Sequence, residues 1–227
     1  VEDPEGTLWT VIRSAAAGDR EARDTFAKRY EPVIHAYLRA RWSGSPLLGE
    51  VDDATQDVFL DCFKDGGALA RVDEDRPGGF RAFLFGVVRM TALNLERKHA
   101  RRRARPADDS RGMDRFPADD EGLSTIFDRA WATTLLEQAA DRQAELAKEK
   151  GDDAVRRVEL LELRFAEGLP IRDIARRWEV DAAHLHHEYA RARDEFRSAL
   201  REVVGFHHRG RPGDVERECS RLLDLFD

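Results

Sequence analysis

Apolar residues recur at helical spacing through most of the chain. After Gly18, Asp19 suits an N-cap, and Ala22, Phe26, Tyr30, Val33 and Tyr37 then fall three or four residues apart, predicting an amphipathic helix. Pro32 lies inside that pattern and predicts a kink or a division, because proline lacks the N–H donor and crowds the preceding turn. Beyond a loop from Ser43 to Gly49, Asp52 is expected to open a second helix, with Ala54, Val58, Phe59, Cys62 and Phe63 on its apolar face and Gly66 and Gly67 ending it. A third follows Pro77, Gly78 and Gly79, where Phe80, Phe83, Leu84, Val87, Val88, Thr91 and Leu95 form one stripe.

Between Pro106 and Gly122 the period is lost and polar residues dominate with proline, glycine and aspartate, the pattern of a flexible linker. Helical spacing returns with Ser124 as a cap before Phe127, Trp131, Leu135 and Ala139. It continues near Asp153 with Val155, Val158, Leu161 and Phe165. After Gly168, Pro170 suits a first helical turn, and Ile171, Ile174, Ala175 and Trp178 make the face of a short helix. A tight turn at Glu179 and Val180 follows. Asp181 then caps a long helix with Leu185, Tyr189, Ala192, Phe196, Leu200 and Val203 on its buried side. Short helix, turn and longer helix predict a helix-turn-helix. No strand-period run and no internal repeat occur, so the expected fold is all-α: two small helical domains joined by a flexible linker, the second containing the helix-turn-helix.

Composition adds limits. Of the 227 residues 37% are charged and 41% hydrophobic, enough apolar material for compact cores under a highly charged surface. Cys62 and Cys219 stand far apart without a CxxC partner, which argues against a disulfide framework or zinc site and for a reducing, cytoplasmic setting. No apolar run reaches the length of a membrane span, and the acidic start from Val1 to Gly6 is unlike a signal peptide. The formal net charge of -7 is wrong for a stand-alone DNA binder, so the distribution of charge matters more than its sum.

Three constellations stand out. The third helix runs into Arg97, Lys98, Arg101, Arg102, Arg103 and Arg105, with Glu96 the only acid among them, either a phosphate-binding stripe or a solvated basic tail. On the second helix Asp53, Asp57 and Asp61 lie four apart on one face, extended by Gln56. Each like-charge pair costs an isolated helix roughly 0.2–0.5 kcal/mol, which a basic partner would relieve; a merely soluble face is the alternative. On the long helix of the helix-turn-helix, Ala183, His184, His186, His187, Ala190 and Arg191 are the candidates for a major groove, with Arg193 and Arg197 for phosphates. Such units also serve as protein-binding modules. His184, His187, His207 and His208 have no HExxH and no nearby cysteine, and no GxxxxGK[ST], GxSxG or strand-borne GxGxxG occurs. No catalytic residue, metal ligand or cofactor is therefore expected.

These pieces resemble sigma factors of the extracytoplasmic-function type. VDDATQDVFLDCF, from Val51 to Phe63, resembles the acidic helix of sigma region two that docks on the largest subunit of core RNA polymerase, which implies Asp53, Gln56, Asp57 and Asp61 as the docking residues. FRAFLFGVVRMTALNLERKHARRR, from Phe80 to Arg103, is similar to the next helix, which engages and helps melt the minus-ten promoter element and brings Arg89 into the DNA-binding set. The loop before it, about Ala68 to Gly79, holds a flipped base in the family. Leu161 to Leu200 resembles region four, which reads the minus-thirty-five element. The resemblance thus implies region two over 1–105, a linker over 106–123, region four over 124–209 and a C-terminal extension over 210–227, in which Val215, Cys219, Leu222, Leu223 and Phe226 keep helical spacing and pack on region four or regulate it. TLWTVIRSAAAGD and FDRAWATTLLEQA resemble a planctomycete subgroup.

Core RNA polymerase and promoter DNA are the implied partners, with an anti-sigma protein or a regulatory kinase left open and no membrane. Phe83 stands where many relatives have tryptophan, Met90 where many have asparagine, and Glu188 where many have arginine, where it could repel phosphate. Two other classes compete: an ordinary helix-turn-helix regulator, and a degenerate sigma-like interaction protein that acts without promoter melting.

Overall fold

The computed structural model describes residues 8–73, 79–103, 120–207 and 212–224. Among these residues there are nine α-helices and no strand: α1 Leu8–Ala16, α2 Arg20–Arg41, α3 Val51–Phe63, α4 Gly79–Arg103, α5 Asp120–Lys150, α6 Asp152–Phe165, α7 Ile171–Arg177, α8 Ala182–His207 and α9 Pro212–Asp224. The chain divides into two compact units, Val1–Thr134 and Leu135–Asp227, so the division falls inside α5. The expected linker lies outside the described residues as far as 119, and from Asp120 the chain is helical, four residues ahead of the expected Ser124 cap.

In the first unit Gly18 takes φ +98°, a region that a side chain disfavours, and turns the chain from α1 into α2. Asp19 caps α2 by accepting from the Ala22 N–H at 2.7 Å. Pro32 does not divide this helix, which runs unbroken from Arg20 to Arg41. Both Pro32 and Lys28, whose carbonyl loses its donor, are exposed, so water can serve the freed acceptor. α3 starts at Val51, one residue earlier than expected, directly after a 3-10 turn at Pro46–Glu50. It ends where Gly67 allows close approach: a Cβ there would lie 2.5 Å from the Asp61 carbonyl, which instead accepts from the Ala68 N–H at 2.8 Å.

Aromatic rings fill this unit. Tyr30 stacks on Trp131 with centroids 5.6 Å apart, Phe26 meets Tyr30 at 4.8 Å and Phe80 at 5.9 Å, and Phe85 meets Phe127 at 5.2 Å. The start of α5 is therefore anchored by Phe127 and Trp131, with an Arg81–Asp128 ion pair beside them. Arg23 donates to the Ala15 carbonyl at 2.9 Å and the Phe63 carbonyl at 2.8 Å, putting one cation at the C-terminal ends of α1 and α3.

The second unit is built on Leu160, Leu163, Ile171, Ile174, Ala175 and Leu185 from α6, α7 and α8. The buried side of α6 is Ala154, Leu160, Leu161 and Leu163. It is not the expected row: Val155 is exposed, and Phe165 is 70% exposed. Pro170 is the residue before α7, in extended conformation, and Asp181 caps α8 by accepting from the His184 N–H at 2.8 Å. Gln143 on α5 is buried and donates to the Ala192 carbonyl at 3.1 Å. The C-terminal extension packs on α8: Cys219 and Leu222 are buried, and Arg201 forms a bidentate pair with Glu216 at 2.7 and 3.1 Å. Phe226 lies outside the described residues.

Candidate nucleic-acid and protein interfaces

The first unit presents an acidic ridge because α3 is fastened from behind. Val51, Ala54, Val58 and Cys62 are buried, so Asp53, Gln56 and Asp57 are forced outward and all three are exposed. Asp61 is half-buried and paired with Lys64. Leu60 lies on the same face, three residues from Asp57 and four from Gln56, and is 66% exposed. The apolar stripe did not reveal it, although its spacing from the acids could have. Leu60 thus sets an exposed apolar side chain among the carboxylates of this ridge. Asp57 and Asp61 also line a shallow groove of about 250 Å³ with Met90, Thr91, Asn94, Leu95 and Lys98 of α4.

α4 carries the basic residues from this groove onward. Arg97, Lys98, Arg101 and Arg102 are exposed, with Arg97 donating to Asn94 at 3.4 Å, whereas Arg89 is only half-exposed. Arg103 ends the helix; Arg105 lies outside the described residues, as does the middle of the expected base-holding loop, residues 74–78. The helix is oriented by a residue that the charge pattern assigned to the surface. Glu96 is 6% exposed and accepts from Arg41 Nε at 2.6 Å and Nη2 at 3.0 Å, and from the Trp42 indole N–H at 2.9 Å. Arg41 also donates to the Tyr37 hydroxyl at 3.2 Å. Burial is the largest influence on Arg41 and opposes its charge, but the hydrogen bonds and charges of Glu96 and Tyr37 together outweigh it and hold the guanidinium above its ordinary range. Leu84, Val88, Ala92 and Glu96 lie four apart along the buried side, the spacing that could have revealed this acid.

In the second unit the turn between α7 and α8 brings Glu179 to φ +53°. Ala183, His184, His186, His187, Ala190, Arg191 and Arg193 are all exposed along the first half of α8, and Arg197 is exposed just beyond it. Arg193 lies over the Tyr189 ring at 5.7 Å, and Arg197 pairs with Asp194 at 3.4 Å. Glu188 is not a free acid on this surface: its carboxylate accepts from Arg157 of α6 at 3.1 Å and from Arg191 at 3.0 Å. Arg157 in turn grips Glu195 at 3.0 and 2.8 Å. The hydrogen bond to Glu195, working against burial, and then that to Glu188 hold the Arg157 guanidinium above its ordinary range.

Reactive groups fare differently. Burial pushes the Cys62 thiol up to about 12, which keeps it protonated and a poor nucleophile. His207 is buried and donates through Nδ1 to the Val203 carbonyl at 2.9 Å, while His208 lies outside the described residues. Among the described residues no cluster of three or more His, Cys, Asp or Glu side chains could hold a metal ion, and no helix is long and apolar enough to cross a membrane.

Fold and surfaces together define an all-α protein of two units, one with an acidic ridge beside a basic helix and one with a helix-turn-helix. The chain is 34% identical over 102 residues to the ECF RNA polymerase sigma factor SigD of Mycobacterium bovis and of two strains of Mycobacterium tuberculosis. That similarity covers 44% of this chain and 46% of each relative, so the chain spans just under half the length of the curated relatives it matches. No protein-family model matches the chain.

Proposed function

We propose that this chain is a sigma factor of the extracytoplasmic-function type, which binds core RNA polymerase and directs it to promoters. The observation that carries the reading is the α3 ridge: Asp53, Gln56, Asp57 and Leu60 point outward from a helix whose other side is locked in the core, next to a helix whose end carries Arg97, Lys98, Arg101 and Arg102. The similarity to SigD supports it. In this reading Asp53, Gln56, Asp57 and Asp61 dock on the polymerase. α4 then engages and opens the minus-ten element through Arg89 and its basic end, including Arg103. In region four, the helix-turn-helix reads the minus-thirty-five element through His184, His186, His187, Arg191 and Arg193. TLWTVIRSAAAGD and FDRAWATTLLEQA support placement in the planctomycete subgroup.

Overall acidity gives this arrangement a physical logic. A chain of net charge -7 is repelled by free DNA, so promoters are read once the polymerase has been bound and the two DNA-binding modules act at high effective concentration. Run-off transcription with core polymerase on a library of promoter fragments tests the proposal. Discrete transcripts are expected only with this chain present, and they should vanish with Asp53→Lys and Asp57→Lys together with core binding. Failure of the unmodified chain to bind core polymerase would sink the reading.

A further inference from the structure

We propose that Glu188 is a specificity-determining residue of the recognition helix α8: it holds Arg191 in position to read a guanine, and it lowers non-specific affinity in doing so. This inference rests on the proposed reading of α7 and α8 as a DNA-reading helix-turn-helix.

An acid in the second turn of such a helix repels phosphate and would be expected to weaken binding. Glu188 is placed differently from a solvated acid. Its side chain is only 17% exposed, and its two oxygens are divided between two arginines, Oε2 to Arg157 at 3.1 Å and Oε1 to Arg191 at 3.0 Å. Arg157 is itself fixed from the other side by the bidentate pair with Glu195. The carboxylate therefore has one position, set by α6, and passes that position on to Arg191 three residues further along the helix.

Arg191 stays 70% exposed while one terminal nitrogen is held. A guanidinium reads guanine by donating two parallel hydrogen bonds to O6 and N7, a geometry that rewards a side chain already oriented before DNA arrives. Ordering a long side chain on binding costs affinity, and here Glu188 imposes that order in the free protein. The neighbouring cations are held more loosely. Arg193 rests over a tyrosine ring, and Arg197 pairs across 3.4 Å with Asp194, itself 75% exposed.

Charge separates this role from a structural one. Arg157, Arg191, Glu188 and Glu195 sum to zero, so removing Glu188 leaves one extra positive charge beside the DNA. Non-specific binding then rises as discrimination falls, whereas simple damage to the fold lowers both.

The test uses holoenzyme assembled from core polymerase and the full chain, on duplex randomised upstream of a fixed minus-ten element, with non-specific competitor DNA measured in parallel. Wild type is expected to prefer guanine at one position. Glu188→Ala should reduce that preference about tenfold, raise non-specific affinity about twofold and steepen the salt dependence. Arg191→Ala should flatten the same position, and adding Glu188→Ala to it should flatten it no further. Glu188→Gln keeps an acceptor and fills the same space, so it should fall between wild type and alanine, which preserves the test should the alanine variant fail to fold. Unchanged base preferences in a folded Glu188 variant, or equal losses of specific and non-specific binding, would overturn the proposal. A wild-type holoenzyme that selects no base upstream of the minus-ten element would instead remove the helix-turn-helix reading beneath it.

Discussion

Each unit contains a cluster of arginine and glutamate far apart in sequence, and the two clusters differ in where they lead. In the first unit Arg41 and Glu96, 3% and 6% exposed, are closed off with Trp42 and Tyr37 and end in the core. In the second, Arg157 and Glu195 begin at the seam of α6 and α8, and the chain of contacts continues through Glu188 to Arg191 at the surface. The same pair of residue types therefore serves two ends. Sealed in, it fixes where a helix lies; opened at one end, it positions a side chain for a partner. Burial decides which, because a desolvated charge is costly to leave unpaired and a half-solvated one is not.

The contrast is sharpest in what removal does. Glu96→Ala takes the carboxylate away from the buried Arg41 guanidinium and from the Trp42 indole N–H. Urea unfolding of the full chain, followed by tryptophan fluorescence, is expected to show a loss of about 3–5 kcal/mol. A loss below about 1 kcal/mol would mean that water reaches Arg41 and that the two clusters are alike. Arg157→Ala should cost less, about 1–2 kcal/mol, because its partners remain partly solvated. Its larger effect should be loss of the preference assigned to Arg191. The smallest effect is expected at the Arg201–Glu216 pair, which lies wholly at the surface and joins α8 to α9. Its hydrogen bond holds the Glu216 carboxyl below its ordinary value of 4.5. The pair's contribution is therefore complete above that value and is lost as pH falls through the lower folded one. Circular dichroism of wild type and Glu216→Gln across this acid range should converge at its lower end. A constant difference between them would show that the pair contributes through packing rather than charge.

Much of the architecture was legible because helical periodicity and capping are local. Asp19 and Asp181 announce their helices within four residues, and the faces of α3 and α8 follow from apolar residues three and four apart. Candidate surface residues were legible for the converse reason: Asp53, Asp57 and the histidines of α8 lie opposite a clear apolar stripe, so burying one side exposes the other. α6 shows where this fails. Val155, Val158, Leu161 and Phe165 make as good a row as the true face, and only packing against α7 and α8 selects Leu160 and Leu163 over Phe165. Pro32 does not divide α2, because its cost depends on whether the carbonyl it abandons can meet water.

The sequence by itself determined the helical class, the helix-turn-helix and the sign of charge on each surface, since these depend on neighbours within about two turns. Tertiary structure alone decided the fate of individual charges. Glu96 stands next to a basic run and lies in the core because Arg41, 55 residues away, meets it there. Glu188 reads as a repulsive acid and is neutralised by Arg157, 31 residues away. Electrostatic energy depends on distance and solvent in three dimensions, and neither is written in the spacing of residues along the chain.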